Sequence, residues 1–494
     1  MKKSTWKKHH KWLGVVFCFF MLMFCMSGIV LNHRASVSDI DVGRKWLPER
    51  YRYARWNGGL LRGTVPYAGA DSVPRVLIYG AGGVWCTDSM AASITDFNDG
   101  LPAGSDYRQI RSIAHTADGE LFAVSALGLY RLAPEDGGWK SVRLPKEEDE
   151  MLSDIACHKD TLAVAGRSCL YLSVAPYTSF RKIRLKAPEG YKAEVSLFRA
   201  VWMMHSGELF GTAGRLAADM IAAVLIILCV TGLIYCFSLR YMRRERQRGR
   251  CTPKSLRVTR ASYRWHDRLG RATIVLTLFI TLTGWCLRPP VLVLLALNKV
   301  PAFPGTRLDS PNPWNDRLRM IRYDEDYGDW LLSASDGFYS LKSLDARPVR
   351  IDRTPPVSVM GLNVFQKSPT GEWLCGSFSG MFVWDRRRNT ITDYFTQEPA
   401  HDRQGPPFGD RAISGYSNDL TSKEITVEYY VGTNAISQPA EFEILPMPLW
   451  NLALEVHSGR IYMGVSATYV FIFFAGIGAV WCLLSGWKIS KNKG

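Results

Sequence analysis

The run H-K-W-L-G at 10–14 and the apolar stretch after it, which ends at Gly28, decide the fold because they occur twice. The run H-D-R-L-G at 266–270 precedes a second apolar stretch. Gly284 follows its histidine by eighteen residues, the same distance at which Gly28 follows the first histidine. This doubled pattern predicts that the chain consists of two related halves.

A second doubled motif lies in the later part of each half. H-S-G-E-L-F-G at 205–211 and H-S-G-R-I-Y-M-G at 457–464 each stand just before another apolar stretch. Four of the nine histidines therefore occupy matching places in the two halves. An ionisable residue in or near lipid is energetically costly, so these four are functional candidates.

Four stretches are long and apolar enough to cross a bilayer, which takes about 20 residues. They run roughly over 12–31, 216–239, 269–287 and 463–487. The first has the basic start of a signal peptide, but its core is long and aromatic and no small-residue cleavage site follows it. We interpret it as a retained span, which predicts a bundle of four transmembrane helices.

The positive charge lies in three short segments. Residues 1–11 hold five Lys, 239–268 hold ten Arg and one Lys, and 488–494 hold three Lys, so the rest of the chain is almost neutral. Four spans put all three segments on one side, and the positive-inside rule makes that side cytoplasmic. The charge thus predicts an inner-membrane protein with both termini in the cytoplasm and contact with lipid headgroups, and it gives no indication of nucleic-acid binding.

The two segments left outside, 34–204 and 289–456, are of nearly equal length and rich in short β-type runs. Five segments have the pattern of a β-hairpin, with two strands joined by a glycine-containing turn. They begin at Val76, Glu120, Asp160, Asp329 and Glu372. Within a segment they recur at about the spacing of propeller blades. We therefore expect both segments to contribute blades to one propeller-like extracytoplasmic domain; the alternative is two separate β-domains.

These observations divide the chain into seven parts. The predicted parts are a tail with the first span (1–33), a β-rich segment (34–204), the second span (205–239), a basic loop (240–265), the third span (266–288), a β-rich segment (289–456), and the fourth span with a tail (457–494).

Cysteine spacing disfavours two kinds of site. No C-x-x-C motif occurs, which disfavours covalently attached c-type haem and a zinc ribbon. Cys157 and Cys169 are close in sequence and lie in a segment whose compartment permits disulfides, so they are a candidate pair.

The matched histidines form two candidate ligand pairs. His10 and His266 begin the first and third spans at the cytoplasmic face, and His205 and His457 precede the second and fourth at the outer face. One histidine from each of two facing helices can hold a haem iron, so the pattern predicts two haems. His33, which has no counterpart in the other half, is an alternative outer ligand.

The other histidines are expected to be surface or outer-domain residues without a ligand role: His9, His115, His158 and His401. Gly14 and Gly270 each follow a leading histidine by one helical turn and would leave room beside it for a flat macrocycle.

The start K-K-H-H-K-W-L-G, which stands in this chain as Lys7-Lys8-His9-His10-Lys11-Trp12-Leu13-Gly14, with S-G-I-V-L-N-H-R after the span, resembles the PepSY-associated transmembrane family. Similarity to that family also extends to the motif R-W-H-D-R-L-G and to the two H-S-G motifs that precede the second and fourth spans. The resemblance covers the four spans and their flanks. It implies a siderophore-iron reductase that carries b-type haems between span histidines. The outer segments depart from the family, because they do not resemble compact α+β PepSY domains.

The sequence therefore favours an inner-membrane di-haem oxidoreductase that passes electrons to ferric siderophore or another periplasmic iron carrier. No nucleotide-binding fingerprint occurs, so we expect quinol or a separate cytoplasmic reductase to donate the electrons. The rival is a non-enzymatic sensor or partner-binding protein with a periplasmic β-propeller. A transporter is disfavoured, because Asp219 is the only carboxylate in the spans.

Overall fold

The computed structural model describes residues 3–69, 71–133, 137–147, 149–358, 360–400, 411–421 and 423–491. The chain divides into two compact units. The membrane unit consists of Met1–Val37, Ala193–Ser310 and Leu449–Gly494, and the propeller unit of Ser38–Lys192 and Pro311–Pro448.

Seven α-helices are found in the described part of the membrane unit. They are α1 (Lys3–Asn32), α2 (Leu197–Ser206), α3 (Gly211–Gln247), α4 (Pro253–Cys286), α5 (Val291–Ala296), α6 (Leu449–His457) and α7 (Val465–Lys491). Four of them, α1, α3, α4 and α7, are long and apolar enough to cross a membrane. The four predicted spans are confirmed. A two-stranded sheet joins Glu194–Ser196 to Lys299–Pro301.

The predicted basic loop 240–265 is wrong, because helix occupies most of it. α3 continues to Gln247 and α4 begins at Pro253, which leaves only 248–252 between them. Arginine and lysine are good helix formers, so a charged sequence at the membrane surface extends the spans rather than ending them. Pro253 occupies the first turn of α4, where its missing N–H costs nothing.

The predicted starts of the second and fourth spans are also wrong, because the H-S-G motif ends a helix. His205 lies at the end of the short helix α2, and Gly207 then adopts a left-handed conformation with φ 79°. His457 ends α6, and Gly459 has φ 77°. Glycine adopts this conformation without a steric penalty, so the chain turns here before the spanning helix begins.

The four long helices form a bundle in which α1 and α4 each pack against α3 and α7. The short helix α2 packs against α4, and α6 packs against α1. Cys25, Leu225 and Leu228 are buried between helices. Large apolar side chains also face outward, including Val275 (75% exposed) and Phe19 (55% exposed), as a helix surface in contact with lipid requires.

The described residues of the propeller unit form six antiparallel sheets, which we number as blades in chain order. Blade 1 comprises Gly63–Ala68, Pro74–Gly80, Gly83–Thr87 and Ile94–Asp96; blade 2, Ile110–His115, Leu121–Ser125, Leu129–Leu132 and Trp139–Val142; blade 3, Leu152–His158, Thr161–Gly166, Leu170–Val174 and Arg181–Ile183; blade 4, Leu318–Asp324, Asp329–Ala334, Gly337–Leu341 and Val349–Arg350; blade 5, Leu362–Lys367, Trp373–Ser377, Gly380–Asp385 and Thr390–Asp393; blade 6, Ile413–Ser417 and Ile425–Glu428. Asp41–Val42 and Met447–Pro448 form a further pair.

The blades are joined in a ring by apolar side chains. One hydrophobic cluster lies between each blade and the next, from blade 1 to blade 6. A further cluster packs Ile425 and Val427 of blade 6 against Ile78 of blade 1, with Trp56 fully buried between them. The expectation of one propeller built from both segments is confirmed, with three blades from each, and the alternative of two separate β-domains is wrong.

Charged side chains also join blades 4 and 5. Asp324 of blade 4 forms an ion pair with Lys367 (3.0 Å) and accepts a hydrogen bond from Trp373 Nε1 (3.0 Å). Arg386 bridges Asp324 and Asp329. Burial by itself would raise the pKa of Asp324, but the hydrogen bonds from Lys367, Trp373 and Arg386 outweigh it, and the pKa lies below its ordinary value.

The candidate disulfide between Cys157 and Cys169 is wrong, since both are free thiols. In blade 3, Cys157 lies opposite Leu162, near one end of a hairpin. Cys169 lies opposite Gly166 at the other end, where its carbonyl accepts the Gly166 N–H at 2.8 Å. Antiparallel register therefore separates two cysteines that are close in sequence.

Candidate functional site

The structure brings the four repeat-matched histidines together as two pairs. His10 of α1 and His266 of α4 form pair 1, with ring centroids 5.9 Å apart. His205 of α2 and His457 of α6 form pair 2, with ring centroids 6.0 Å apart. Each pair thus combines one residue from each half of the chain.

All four imidazole rings are held in the same way. In each ring Nδ1 lies 2.9–3.0 Å from a backbone carbonyl oxygen and 3.2–3.3 Å from the hydroxyl of a Ser or Thr three residues further along the same helix. The carbonyl and hydroxyl partners are Cys482 and Ser485 for His10, Leu228 and Thr231 for His266, Ile280 and Thr283 for His205, and Phe24 and Ser27 for His457.

This contact defines the protonation of the rings. A carbonyl oxygen can only accept, so Nδ1 carries the donated hydrogen, and in the neutral form of the ring Nε2 keeps its lone pair. The Ser27 and Thr231 hydroxyls donate to carbonyls of their own helices at 2.6 Å, which leaves their lone pairs to accept from Nδ1. A backbone acceptor on one ring nitrogen is the usual way in which a protein orients a metal-binding histidine. No described residue forms a hydrogen bond with any of the four Nε2 atoms.

A glycine follows each hydroxyl residue and lies against the ring. A Cβ added at Gly284 would lie 2.6 Å from Cε1 of His205. The corresponding distances are 2.9 Å for Gly486 to His10, 3.1 Å for Gly232 to His266 and 3.2 Å for Gly28 to His457. Any side chain here would displace the ring, so the close approach of helix and imidazole requires glycine.

Sequence reasoning found the histidines but missed the residues that hold them. The signal was present, because a Ser-Gly or Thr-Gly dipeptide stands in every span: 27–28, 231–232, 283–284 and 485–486. The role of each dipeptide becomes clear only when the helix that packs against it is known. Every one of the four contacts joins a histidine of one half to a helix of the other half.

The structure places His33, the alternative outer ligand, in another contact. Its Nε2 lies 2.7 Å from Oδ2 of Asp219, the carboxylate of α3. The second Asp219 oxygen accepts from Asn32 Nδ2 at 2.9 Å, and the same amide lies 3.4 Å from the carbonyl of Ser206. This polar cluster ties the end of α1 to α2 and α3.

The other glycines and histidines considered from the sequence lie outside the ring contacts of the two pairs. A Cβ at Gly14 or Gly270 would be 3.7 Å from its nearest neighbour, so neither is tightly packed. His158 stacks on Tyr323 with centroids 3.4 Å apart and contacts Glu325. His9 and His115 belong to neither pair. His401 lies outside the described residues.

These features define a class of protein: a four-helix membrane bundle with two half-buried histidine pairs and a six-bladed extramembrane propeller. The family model for the PepSY-associated TM region matches residues 1–238 and 135–492, and the chain belongs to that family.

No curated protein matches the chain. Among solved structures it is similar to the extracellular domain of a hybrid two-component system from B. thetaiotaomicron, at 9% identity and a TM-score of 0.36, over 75% of this chain and 32% of that one. The chain therefore spans about a third of that structure. It is also similar to the WD40 repeats of RRP9, at 7% identity and a TM-score of 0.32, over 76% of each chain.

Proposed function

We propose that this protein is a di-haem b oxidoreductase of the inner membrane that passes electrons to a periplasmic acceptor, with ferric siderophore as the favoured acceptor. The observation that carries the proposal is the pairing of four imidazoles whose Nδ1 atoms are all engaged by the protein. This leaves two Nε2 lone pairs at each pair for one metal ion.

The residues present fit haem better than a bare metal ion. With metal–nitrogen bonds of about 2 Å, two imidazoles on opposite sides of one ion have ring centroids about 6 Å apart, close to the 5.9 and 6.0 Å seen here. In the described residues no group of three His, Cys, Asp or Glu side chains could hold a metal ion. Two protein ligands and no third suit an iron whose other four positions belong to a macrocycle.

His10 with His266, and His205 with His457, would each hold one haem, which would supply one-electron transfer between ferric and ferrous states. The protein's part is to fix the ring orientations through the Nδ1 contacts and to exclude water from the bundle. Each electron delivered reduces one chelated Fe(III) to Fe(II). A quinol that is oxidised to the quinone supplies two electrons and two protons, enough for two ferric ions, and a cytoplasmic reductase is the other candidate donor.

The basic segments supply the direction of transfer. Under the positive-inside rule the termini and 248–252 face the cytoplasm, so pair 1 is the entry side and pair 2 the periplasmic side. The alternative function is a non-enzymatic sensor or partner-binding protein, which the six-bladed propeller favours because propellers offer broad binding surfaces.

Absorption spectroscopy tests the proposal directly. The purified protein should be red, with about two haems per chain and a Soret band that shifts on reduction with dithionite. His205→Ala and His457→Ala should each lose about half of the haem, and so should His10→Ala and His266→Ala. His33→Ala is the matched control at the same end as pair 2 and should keep both haems. A colourless preparation from haem-replete cells would defeat the proposal and leave the sensor function.

A further inference from the structure

The short helix α5 is apolar on every side. Its sequence is V-L-V-L-L-A, and Leu297, the residue that ends it, keeps helical backbone angles. Three of its large side chains, Val293, Leu294 and Leu297, are 54%, 65% and 78% exposed. Because an α-helix turns by about 100° per residue, these three lie within one arc of about 100°. α5 therefore presents a continuous apolar face that is largely open to its surroundings.

The opposite face of α5 is fixed to the bundle. Val291, Leu292 and Leu295 are half-buried on that side, and α5 packs against both α2 and α4. A helix that is apolar all round is typical of a protein core or of lipid surroundings. Since only one face of α5 is packed against the chain, the open face calls for a second apolar environment.

The open face continues the lipid-facing surface of α4. Val275 and Phe279 of α4 are exposed, as a spanning helix in lipid requires. α4 ends at Cys286 and α5 begins at Val291, and the residues between them can span no more than about 17 Å. Both helices belong to the membrane unit, within its segment Ala193–Ser310. α5 therefore lies near the end of the span, at the boundary of the bilayer.

Polar and interfacial residues surround α5. Asn298 and Lys299 follow it directly, and both are exposed. On α2, against which α5 packs, Trp202 is 42% exposed. Lysine and tryptophan are enriched where the hydrocarbon of a membrane meets water, because each combines an apolar body with a polar end. These residues indicate that the membrane–water interface lies close to α5.

We propose that α5 is a membrane anchor that inserts Val293, Leu294 and Leu297 among the acyl chains of the leaflet around the pair 2 end of the bundle. The open face carries no charge and no hydrogen-bonding side chain, so it fits lipid tails and not lipid headgroups. The anchor also holds α2, the helix that carries His205. Pair 2 then lies at the depth of the headgroup layer and not in the aqueous phase. This role does not depend on the proposed electron transfer.

Photo-crosslinking of the full chain in lipid nanodiscs tests what touches the open face. Leu294→p-benzoylphenylalanine and Leu297→p-benzoylphenylalanine should form phospholipid adducts, as Val275→p-benzoylphenylalanine on α4 should. Val349 of blade 4, which is 65% exposed like Leu294, is the matched control. Its variant should form at least about tenfold less lipid adduct, because burial of one leucine side chain favours the inserted state by roughly that factor or more.

The crosslinks also identify the other occupants that this face could have. Adducts from positions 294 and 297 to a second copy of the chain, or to propeller residues of the same chain, in place of lipid would overturn the anchor. So would the absence of a lipid adduct at both positions under conditions in which the Val275 variant forms one.

Hydroxyl-radical footprinting of the wild type needs no variant. Radicals form in water, so oxidation reports which side chains water reaches when each rate is divided by that of the unfolded chain. In nanodiscs Leu294 and Leu297 should be oxidised at least about tenfold more slowly than Val349, although all three are exposed in the structure. Oxidation of the two leucines at the rate of Val349 would show that the face is in water and would overturn the anchor.

Discussion

Replacing Gly284 by Ala tests whether the His205 ring is placed by close contact with α4. The added methyl would lie 2.6 Å from Cε1 and 3.1 Å from Nδ1 of His205, whereas ordinary contacts begin at 3.4 Å. The backbone of α4 cannot move within a packed bundle, so the ring must retreat by about 0.8 Å. The Nδ1 contact with the Ile280 carbonyl, now 3.0 Å, would then lengthen to about 3.8 Å, beyond hydrogen-bond distance.

Two effects of opposite sign act on stability. Alanine is favoured over glycine in a helix interior by about 1 kcal/mol. Overpacking costs about 1–3 kcal/mol, and the lost hydrogen bond about 1 kcal/mol more. We expect a net loss of about 1–3 kcal/mol and, under the proposed function, loss of about half of the haem absorbance. Thermal unfolding in detergent and the Soret band per protein measure the two effects separately.

Gly270→Ala is the matched control on the same helix. Its added methyl would meet only Leu228 Cδ2, at 3.7 Å, so stability should stay constant or rise by up to about 1 kcal/mol. Gly486→Ala, at 2.9 Å from His10, should act on pair 1 more mildly than Gly284→Ala acts on pair 2. A Gly284→Ala protein with wild-type stability and two unchanged haems would refute this placement of His205.

Three further predictions concern contacts away from the pairs. Asp219→Leu removes the acceptor of His33 and should lower the unfolding temperature through a loss of about 1–3 kcal/mol; an unchanged temperature would exclude the contact. The lowered pKa of Asp324 means that its stabilisation is complete above the unfolded-state pKa of about 3.9 and is lost as pH falls through the folded value. The denaturation midpoints of wild type and Asp324→Asn should therefore differ at neutral pH and converge below about pH 4, and a constant difference would contradict this. Gly415→Ala would place a methyl 2.1 Å from the Leu61 carbonyl oxygen and should destabilise the closure between blades 6 and 1 by about 1–3 kcal/mol, whereas an unaltered midpoint would argue against a closed ring.

The placement of the histidines was predictable because it depends on local spacing. The eighteen residues between His10 and Gly28 recur between His266 and Gly284, and a helix converts equal spacing into equal geometry. The partners of the rings were not predictable, since the contact between His10 and Cys482 joins residues at opposite ends of the chain.

The fold shows the same division between local and distant effects. The length of the apolar stretches predicted the four spans. The segments with a glycine turn between two strands predicted the hairpins in blades 1 to 5. The breaks at Gly207 and Gly459 were missed because an apolar stretch gives no sign of where a helix turns. None of the five segments named above marks blade 6, whose two strands are completed as part of the ring by packing against blade 1.

Every one of the four histidine contacts joins the two halves of the chain. This arrangement bears on how such a chain could arise. Neither half alone contains a complete pair or a ring with its own anchoring glycine, but two copies of one half related by a two-fold axis would contain all of them. The turn 248–252 is then a covalent fusion of a symmetric dimer. Fusion would free equivalent positions to diverge, and Asn32 and Arg288, each four residues after the glycine that anchors a ring, are one such pair of different residues.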